Sequence, residues 1–256
     1  MTERRNYTAA EILAVMSSRL LKDGQIVFAG VGLPLLSAIL AQRTHAPTLT
    51  ILFEGGTIGA FVEPGQLPPS TNEQRCCRRA NMLLPSADVL LLLQRGYVDI
   101  GFMGGAQIDK HGNLNSSFIG DAENPTARLP GTGGGNDIAS LTNMIVSMKH
   151  EKRRFVEKVD FVTSPGFLDG GKSREKAGLE LGGLFRVVTD LAILGFDEKS
   201  RDMKVLAMHP GVTAQEIQDN TGFELIIERS VETTPPPTED ELKVLRHLDP
   251  DKLYIA

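Results

Sequence analysis

The chain has 256 residues, 41% of them hydrophobic and 23% charged, with a formal net charge of −5. That is enough chain to bury a sizeable core, in the balance of an ordinary globular protein. A mildly acidic chain lacks the Lys and Arg surplus that displaces counterions from nucleic acid, so no nucleic-acid partner is expected.

In chain order, Thr8-Ala-Ala-Glu11 is a capping-box pattern, and Ile12, Val15, Met16 and Leu20 follow it at helical spacing. Asp23-Gly24 ends that helix. Residues 25–30 (QIVFAG) read as a buried strand, Gly30-Val-Gly-Leu-Pro34 as a turn, and the stretch to Arg43 as a second helix. Residues 48–53 (TLTILF) form another strand, which makes a βαβ unit and implies a parallel sheet. Residues 86–96 are helical, 98–103 a strand ending at Gly104-Gly105, and 113–119 a further strand. A long loop ends in Gly131-Thr-Gly-Gly-Gly-Asn136, and Asp137 starts a short helix. Residues 144–148 and 159–163 read as strands, and 166–183 as an exposed excursion. Residues 185–189, 191–196 and 203–208 read as a strand meander, with further capping boxes at Thr213–Glu216 and Thr238–Glu241. The expectation is a single α/β domain over 1–256: an open, mostly parallel sheet with helices on both faces, plus a C-terminal part with antiparallel strands.

The N-terminal MTERRNYTAAE has no apolar signal core, and no apolar run reaches membrane-spanning length. Cys76 and Cys77 are adjacent, where a disulfide is strained, so both are expected as free thiols. A cytoplasmic protein with no membrane attachment follows. No Cys/His spacing for zinc is present.

Glu54 is the leading candidate for chemistry. It stands at the end of an apolar strand, in Ile51-Leu-Phe-Glu-Gly-Gly56, and ligands of open parallel sheets gather at strand carboxyl ends. Glycines after it remove side-chain bulk, and a carboxylate so placed can attack an activated acyl group. The structural alternative is a capping or salt-bridging Glu. In the 131–136 loop, the amides of Gly133, Gly134, Gly135 and Asn136 can bind an anion or a developing oxyanion, or the loop is a plain connector. Gly104, Gly105, Ala106 and Gln107 line the same cleft or form a tight turn. Gly30 and Gly32 lack the third glycine of a dinucleotide fingerprint, and no P-loop Lys follows them. Cys76 and Cys77 sit among Arg75, Arg78 and Arg79, where a thiol nucleophile competes with two small hydrophobes. The run His150–Arg154 is a solvated face or a contact for the phosphates of a ligand.

These residues resemble a known family. LFEGG is similar to the Ser-Glu-Asn-Gly signature of class I CoA-transferase β subunits, with Glu54 on the catalytic glutamate; Phe53 and Gly55 depart from the signature serine and asparagine. GGAQIDKHGNLNSSFIGD, GTGGGNDIAS and HEKRRFVEKVDFVTSPGFLDG resemble consecutive blocks of the glutaconate CoA-transferase β subunit, in order from Tyr7 onward. The resemblance implies CoA transfer between a (di)carboxylic acyl-CoA and a small carboxylic acid, through a covalent glutamyl-CoA thioester and with no cofactor. It puts an oxyanion-hole amide at Gly133 or Gly134, and substrate contacts at Gly30, Gly32, Gly55, Gly104, Gly105, Ala106, Gln107, Gly135 and Asn136. It also implies an α-subunit partner, in an α2β2 or larger hetero-oligomer. Relatives of this branch include a 3-methylglutaconyl-CoA decarboxylase and a ring-opening hydrolase, which stand as the alternative activity.

Overall fold

The structure, a computed structural model, describes residues 6–256; the first five residues of the stretch read for a signal core lie outside it. The chain folds as two compact units: one runs to Phe102 and resumes at Pro236, and the other spans Met103–Pro235.

The first unit opens with α1 (Ala9–Arg19), where the Thr8 hydroxyl accepts from Glu11 N and the Glu11 carboxylate accepts from Thr8 N. Next come β1 (Ile26–Phe28), α2 (Leu33–Arg43) and β2 (Thr50–Leu52). β3 (Thr57–Ile58) and β4 (Met82–Leu83) precede α3 (Ser86–Gln94) and β5 (Ile100–Met103). β1 pairs in parallel with β2 (Val27 opposite Ile51) and with β5 (Val27 opposite Ile100). β3 turns back antiparallel on β2, and β4 pairs antiparallel with β3 at the edge.

The second unit begins with β6 (Gln107–Asp109), β7 (Leu114–Asn115), β8 (Phe118–Gly120) and β9 (Pro125–Arg128). It continues with α4 (Gly135–Leu141), β10 (Asn143–Ser147), β11 (Phe155–Val156) and α5 (Ser173–Lys176). β12 (Gly183–Val188), β13 (Ala192–Phe196), β14 (Met203–Met208), α6 (Ala214–Asp219) and β15 (Glu232–Thr233) complete it. β10 and β12 are parallel, whereas β12, β13 and β14 form the expected antiparallel meander. Its core gathers Ile108, Leu114, Val146, Phe155, Val187, Leu194 and Met203, all fully buried.

The chain then returns with α7 (Glu239–Leu248), whose Leu242, Leu245 and Leu248 are buried at helical spacing. α1, α2 and α7 pack on one another. Two reciprocal ion pairs fix that packing. Arg246 holds Glu11 at 2.6 Å, and Arg19 holds Glu241 at 2.7 Å, so each capping-box glutamate also binds the other helix. Burial opposes the ionisation of Glu11, but Arg246 and the Thr8 amide outweigh it and keep the carboxyl below its ordinary range.

Three expectations are corrected. Residues 113–119 form two short strands rather than one, because Asn115 turns its side chain onto Ser117 N and Phe118 O. Residues 159–163 carry no strand; the pairing goes to Phe155–Val156 alongside β6. The 166–183 excursion is anchored, not merely exposed. Arg174 is 5% exposed and donates to five carbonyls, those of Pro165, Gly166, Ala139, Ser140 and Leu181.

Candidate functional site

Glu54 occupies a tight turn. Phe53 N donates to Thr57 O at 2.9 Å and Gly56 N to Phe53 O at 3.0 Å, which places Glu54 and Gly55 at the tip between β2 and β3. Phe53 is fully buried and anchors the turn to the core, while Glu54 is half-buried. β1 and β2 run parallel in register, with Phe28 opposite Leu52 and Ala29 N donating to Leu52 O. The Gly30–Gly32 turn therefore emerges at the same carboxyl edge as Glu54. Gly32 is the N-cap of α2 with φ +89°, and a β-carbon on Gly30 would meet nothing within 4 Å. Of the predicted site residues, Gly30, Gly32, Glu54 and Gly55 are thus brought together at one strand edge.

The glycines after Glu54 have a use that the sequence does not show. A β-carbon on Gly55 would lie 2.5 Å from Thr71 O, and one on Gly56 would lie 1.8 Å from Leu84 O. Leu84 N in turn donates to Gly56 O at 2.9 Å. Backbone segments from later in the chain close directly over the turn, so these glycines serve close packing.

The remaining predicted residues lie in the second unit. Gly104 is exposed, and Ala106 N donates to Asn115 O at 2.9 Å. Gln107 is 6% exposed: its Oε1 accepts from Asn115 Nδ2 and Asp160 N, and its Nε2 donates to Asp160 Oδ2. Its amide is satisfied inside the protein.

In the glycine loop, Gly131 and Gly133 have φ values of +94° and +49°. Gly135 N donates to Thr132 O, and Asn136 N to Thr132 Oγ1, each at 2.8 Å. The Gly135 and Asn136 amides are therefore committed within the loop; of its glycines Gly133 is the exposed one, and Gly134 is buried. Thr132 was missed by the sequence reading; its signal was a hydroxyl four residues before the amide it caps. A β-carbon on Gly135 would meet Met103 Cε at 2.6 Å, so that glycine too is a packing requirement.

Cys76 is fully buried, and burial foremost pushes its thiol up to about 11, which leaves it protonated at neutral pH. Cys77 is exposed, with Sγ 3.5 Å from Thr57 Oγ1. The surrounding arginines are engaged elsewhere: Arg75 pairs with Glu73 at 2.7 Å, Arg78 with Glu63 at 3.7 Å, and Arg79 stacks over Phe61. The run 150–154 is not one solvated face. His150 is 4% exposed, bonded to Thr189 Oγ1 and Thr221 Oγ1 and stacked on Phe155, while Arg153 and Arg154 pair with Glu151. Among the described residues, no helix is long and apolar enough to cross a membrane.

The coenzyme A transferase family pattern matches residues 10–220. The chain is 38% identical to the B subunit of glutaconate CoA-transferase from Acidaminococcus fermentans, over 100% of this chain and 97% of that protein. The crystal structure of that organism's glutaconate coenzyme A-transferase superimposes with a TM-score of 0.92, covering 98% of each chain. The B subunit of 3-oxoadipate CoA-transferase from Pseudomonas knackmussii is also 38% identical, over 95% of this chain and 94% of that protein. The cholesterol ring-cleaving hydrolase IpdB subunit of Rhodococcus jostii is 32% identical over 96% of this chain and 94% of that one.

Proposed function

The chain belongs to the coenzyme A transferase family, in the branch of its second (β) subunits, and from that premise we propose that Glu54 is the covalent nucleophile of a two-subunit enzyme moving CoA from a (di)carboxylic acyl-CoA to a carboxylate such as acetate. The observation that carries this reading is the position of Glu54: a half-buried carboxylate at the tip of a backbone-locked turn, at the carboxyl edge of parallel strands.

In the proposed cycle, a Glu54 oxygen attacks the thioester carbonyl and the C–S bond breaks. This leaves an acyl-glutamyl anhydride and the CoA thiolate. The thiolate attacks the Glu54 carbonyl carbon, the anhydride C–O bond breaks, and the donor acid leaves as its carboxylate. The acceptor carboxylate then attacks the glutamyl-CoA thioester, and the two steps run in reverse to give the new acyl-CoA and regenerated Glu54. The cycle uses no metal or organic cofactor. On the family resemblance, the oxyanion role is assigned to an amide of Gly133 or Gly134. A companion α subunit completes the enzyme, in an α2β2 or larger assembly, in the cytoplasm.

To test this, the complex with the companion chain is incubated with glutaryl-CoA without acceptor acid and treated with borohydride. Peptide mass should place the reduced adduct at Glu54 alone, with loss of activity. Glu54→Ala should abolish transfer, and Glu54→Asp should impair it severely because the attacking oxygen is withdrawn by about an ångström. Wild-type transfer by Glu54→Ala sinks the reading. The 32% identity to a hydrolase subunit keeps one alternative in view. A hydrolase releases free CoA with no acceptor acid, and a decarboxylase releases carbon dioxide.

A further inference from the structure

The second unit has a cleft of about 290 Å³ at the amino ends of β10 and β12, where Asn143 stands opposite Gly183. Ligands of open parallel sheets gather at the carboxyl ends of the strands, so this cleft lies at the other edge from the one a catalytic ligand takes. Phe167, Phe185 and Phe196 line it together with Arg186, Arg201 and Asn143.

The two arginines lack counter-ions. Each guanidinium rests on a ring: Arg186 lies 4.1 Å from the Phe185 ring centre, and Arg201 4.9 Å from that of Phe167. Phe196 meets Phe167 edge-on at 5.0 Å. Both arginines are half-buried, and among the described residues neither pairs with a carboxylate. Arg19, Arg154 and Arg246 each hold a glutamate, whereas Arg186 donates to the carbonyl of Phe185. A cation drawn partly out of water without an anion is costly, and burial already works against the charge on Arg186.

Two backbone irregularities aim these groups. β12 bulges at Phe185: Met144 stands opposite Leu184 and Ile145 opposite Arg186, which leaves Phe185 as the extra residue. A regular strand would send residues 185 and 186 to opposite faces, but here both line the cleft. Arg201 has a φ of +63°, in the left-handed region that favours glycine. Its N–H donates to Asp197 O and its carbonyl accepts from His111 Nδ1, which hold it there. Strain kept in a non-glycine residue whose side chain lines a cleft marks a functional position.

The lining selects the ligand. Two cations without partners call for an anion, and the exposed amide of Asn143 offers a further polar contact. The phenylalanine wall calls for an apolar body, which inorganic phosphate lacks. Gly183 N is already given to Thr142 O, so it adds nothing to a phosphate-binding nest. The volume is at the lower end for small-molecule sites and suits one ring with one charged group rather than a nucleotide. We propose that this cleft binds a small aromatic carboxylate, with the carboxylate on Arg186 and Arg201 and the ring against the phenylalanines. None of the lining residues is a nucleophile or a general base, so the cleft binds its ligand without transforming it.

Phenylacetate is the probe, titrated into the full chain by calorimetry. Binding with a Kd of about 1 mM or tighter is expected. Arg186→Gln and Arg201→Gln should each weaken it about tenfold, the scale of a lost charge-assisted hydrogen bond. Glu54→Ala should leave it unchanged, as should Arg153→Gln, whose guanidinium pairs with Glu151. Arg201→Gly separates binding from folding: relief of the positive φ should keep or raise the melting temperature while binding falls about tenfold. A steep drop in melting temperature with binding retained would make Arg201 a structural prop and overturn the proposal. So would the absence of phenylacetate binding, or binding that is lost in Glu54→Ala and kept in both glutamine variants. Inorganic phosphate or cyclohexanecarboxylate binding as tightly as phenylacetate would show that the ring is not read. If the companion chain abolishes phenylacetate binding, the cleft is a subunit contact and the proposal is wrong.

Discussion

The Glu54 turn and the 131–136 loop look alike as strings of letters, each a run of glycines beside polar residues. Their physics differs. In the turn, Gly55 and Gly56 are glycine because backbone from residues 71–72 and 84 occupies the space a side chain would need. In the loop, a β-carbon on Gly131 would meet nothing, and glycine is there for its positive φ. One turn is locked by close packing; the other is shaped by backbone conformation and by the Thr132 cap, with Gly135 held by close packing against Met103. A glycine run therefore does not say by itself whether it serves a ligand or its own chain.

The strongest way to break this contrast is Gly56→Ala. The new methyl group would sit 1.8 Å from Leu84 O at a φ of +107°, and nearby backbone would have to move. Urea denaturation should show a loss of about 4 kcal/mol or more, the scale of backbone strain and overpacking combined. A near-neutral result would mean that the turn and β4 are loosely joined.

The next effect sharpens the contrast between the units. His150 lies in the core of the second, its pKa held down at about 4 by burial. The unfolded chain takes up that proton near pH 6.5, whereas the folded chain resists it until about pH 4. Stability from this residue is thus fully present above pH 6.5 and lost as the pH falls toward 4, by about 3 kcal/mol in all. His150→Gln should flatten this acid limb, read from urea midpoints between pH 7 and 4. An unchanged slope would show that other groups set the acid response.

The smallest change in stability belongs to the loop. Gly133→Ala places a β-carbon at φ +49° in an exposed position, which costs about 1–2 kcal/mol of stability. If its amide meets the oxyanion, turnover should fall about a hundredfold while KM changes little. Normal turnover in this variant would make the loop a connector.

Local sequence by itself determined a good deal. The Thr8–Glu11 and Thr238–Glu241 boxes start α1 and α7 as read, because a hydroxyl and a carboxylate three residues apart satisfy amides within one turn. At Thr213 only the hydroxyl half is made. Alternating turn and apolar runs located β1, α2, β2, α3, β5 and the β12–β14 meander, and they set Glu54 at a strand end. Tertiary structure decided the rest. β3, β4 and β11 are two residues long, too short for periodicity to register, and exist only because a partner strand is present. The letters HEKRR gave no sign that His150 is core while its neighbours are solvated, because burial depends on what packs from Thr189 and Thr221. Gln107 read as lining a cleft or as part of a tight turn, and only the fold shows that Asn115 and Asp160 engage its amide. The return of α7 to the first unit likewise rests on Arg19–Glu241 and Arg246–Glu11, pairs more than two hundred residues apart. Periodicity and capping act within a few residues and are visible along the chain. Hydrogen-bond partners and close backbone contacts across such distances arise only once the chain has folded.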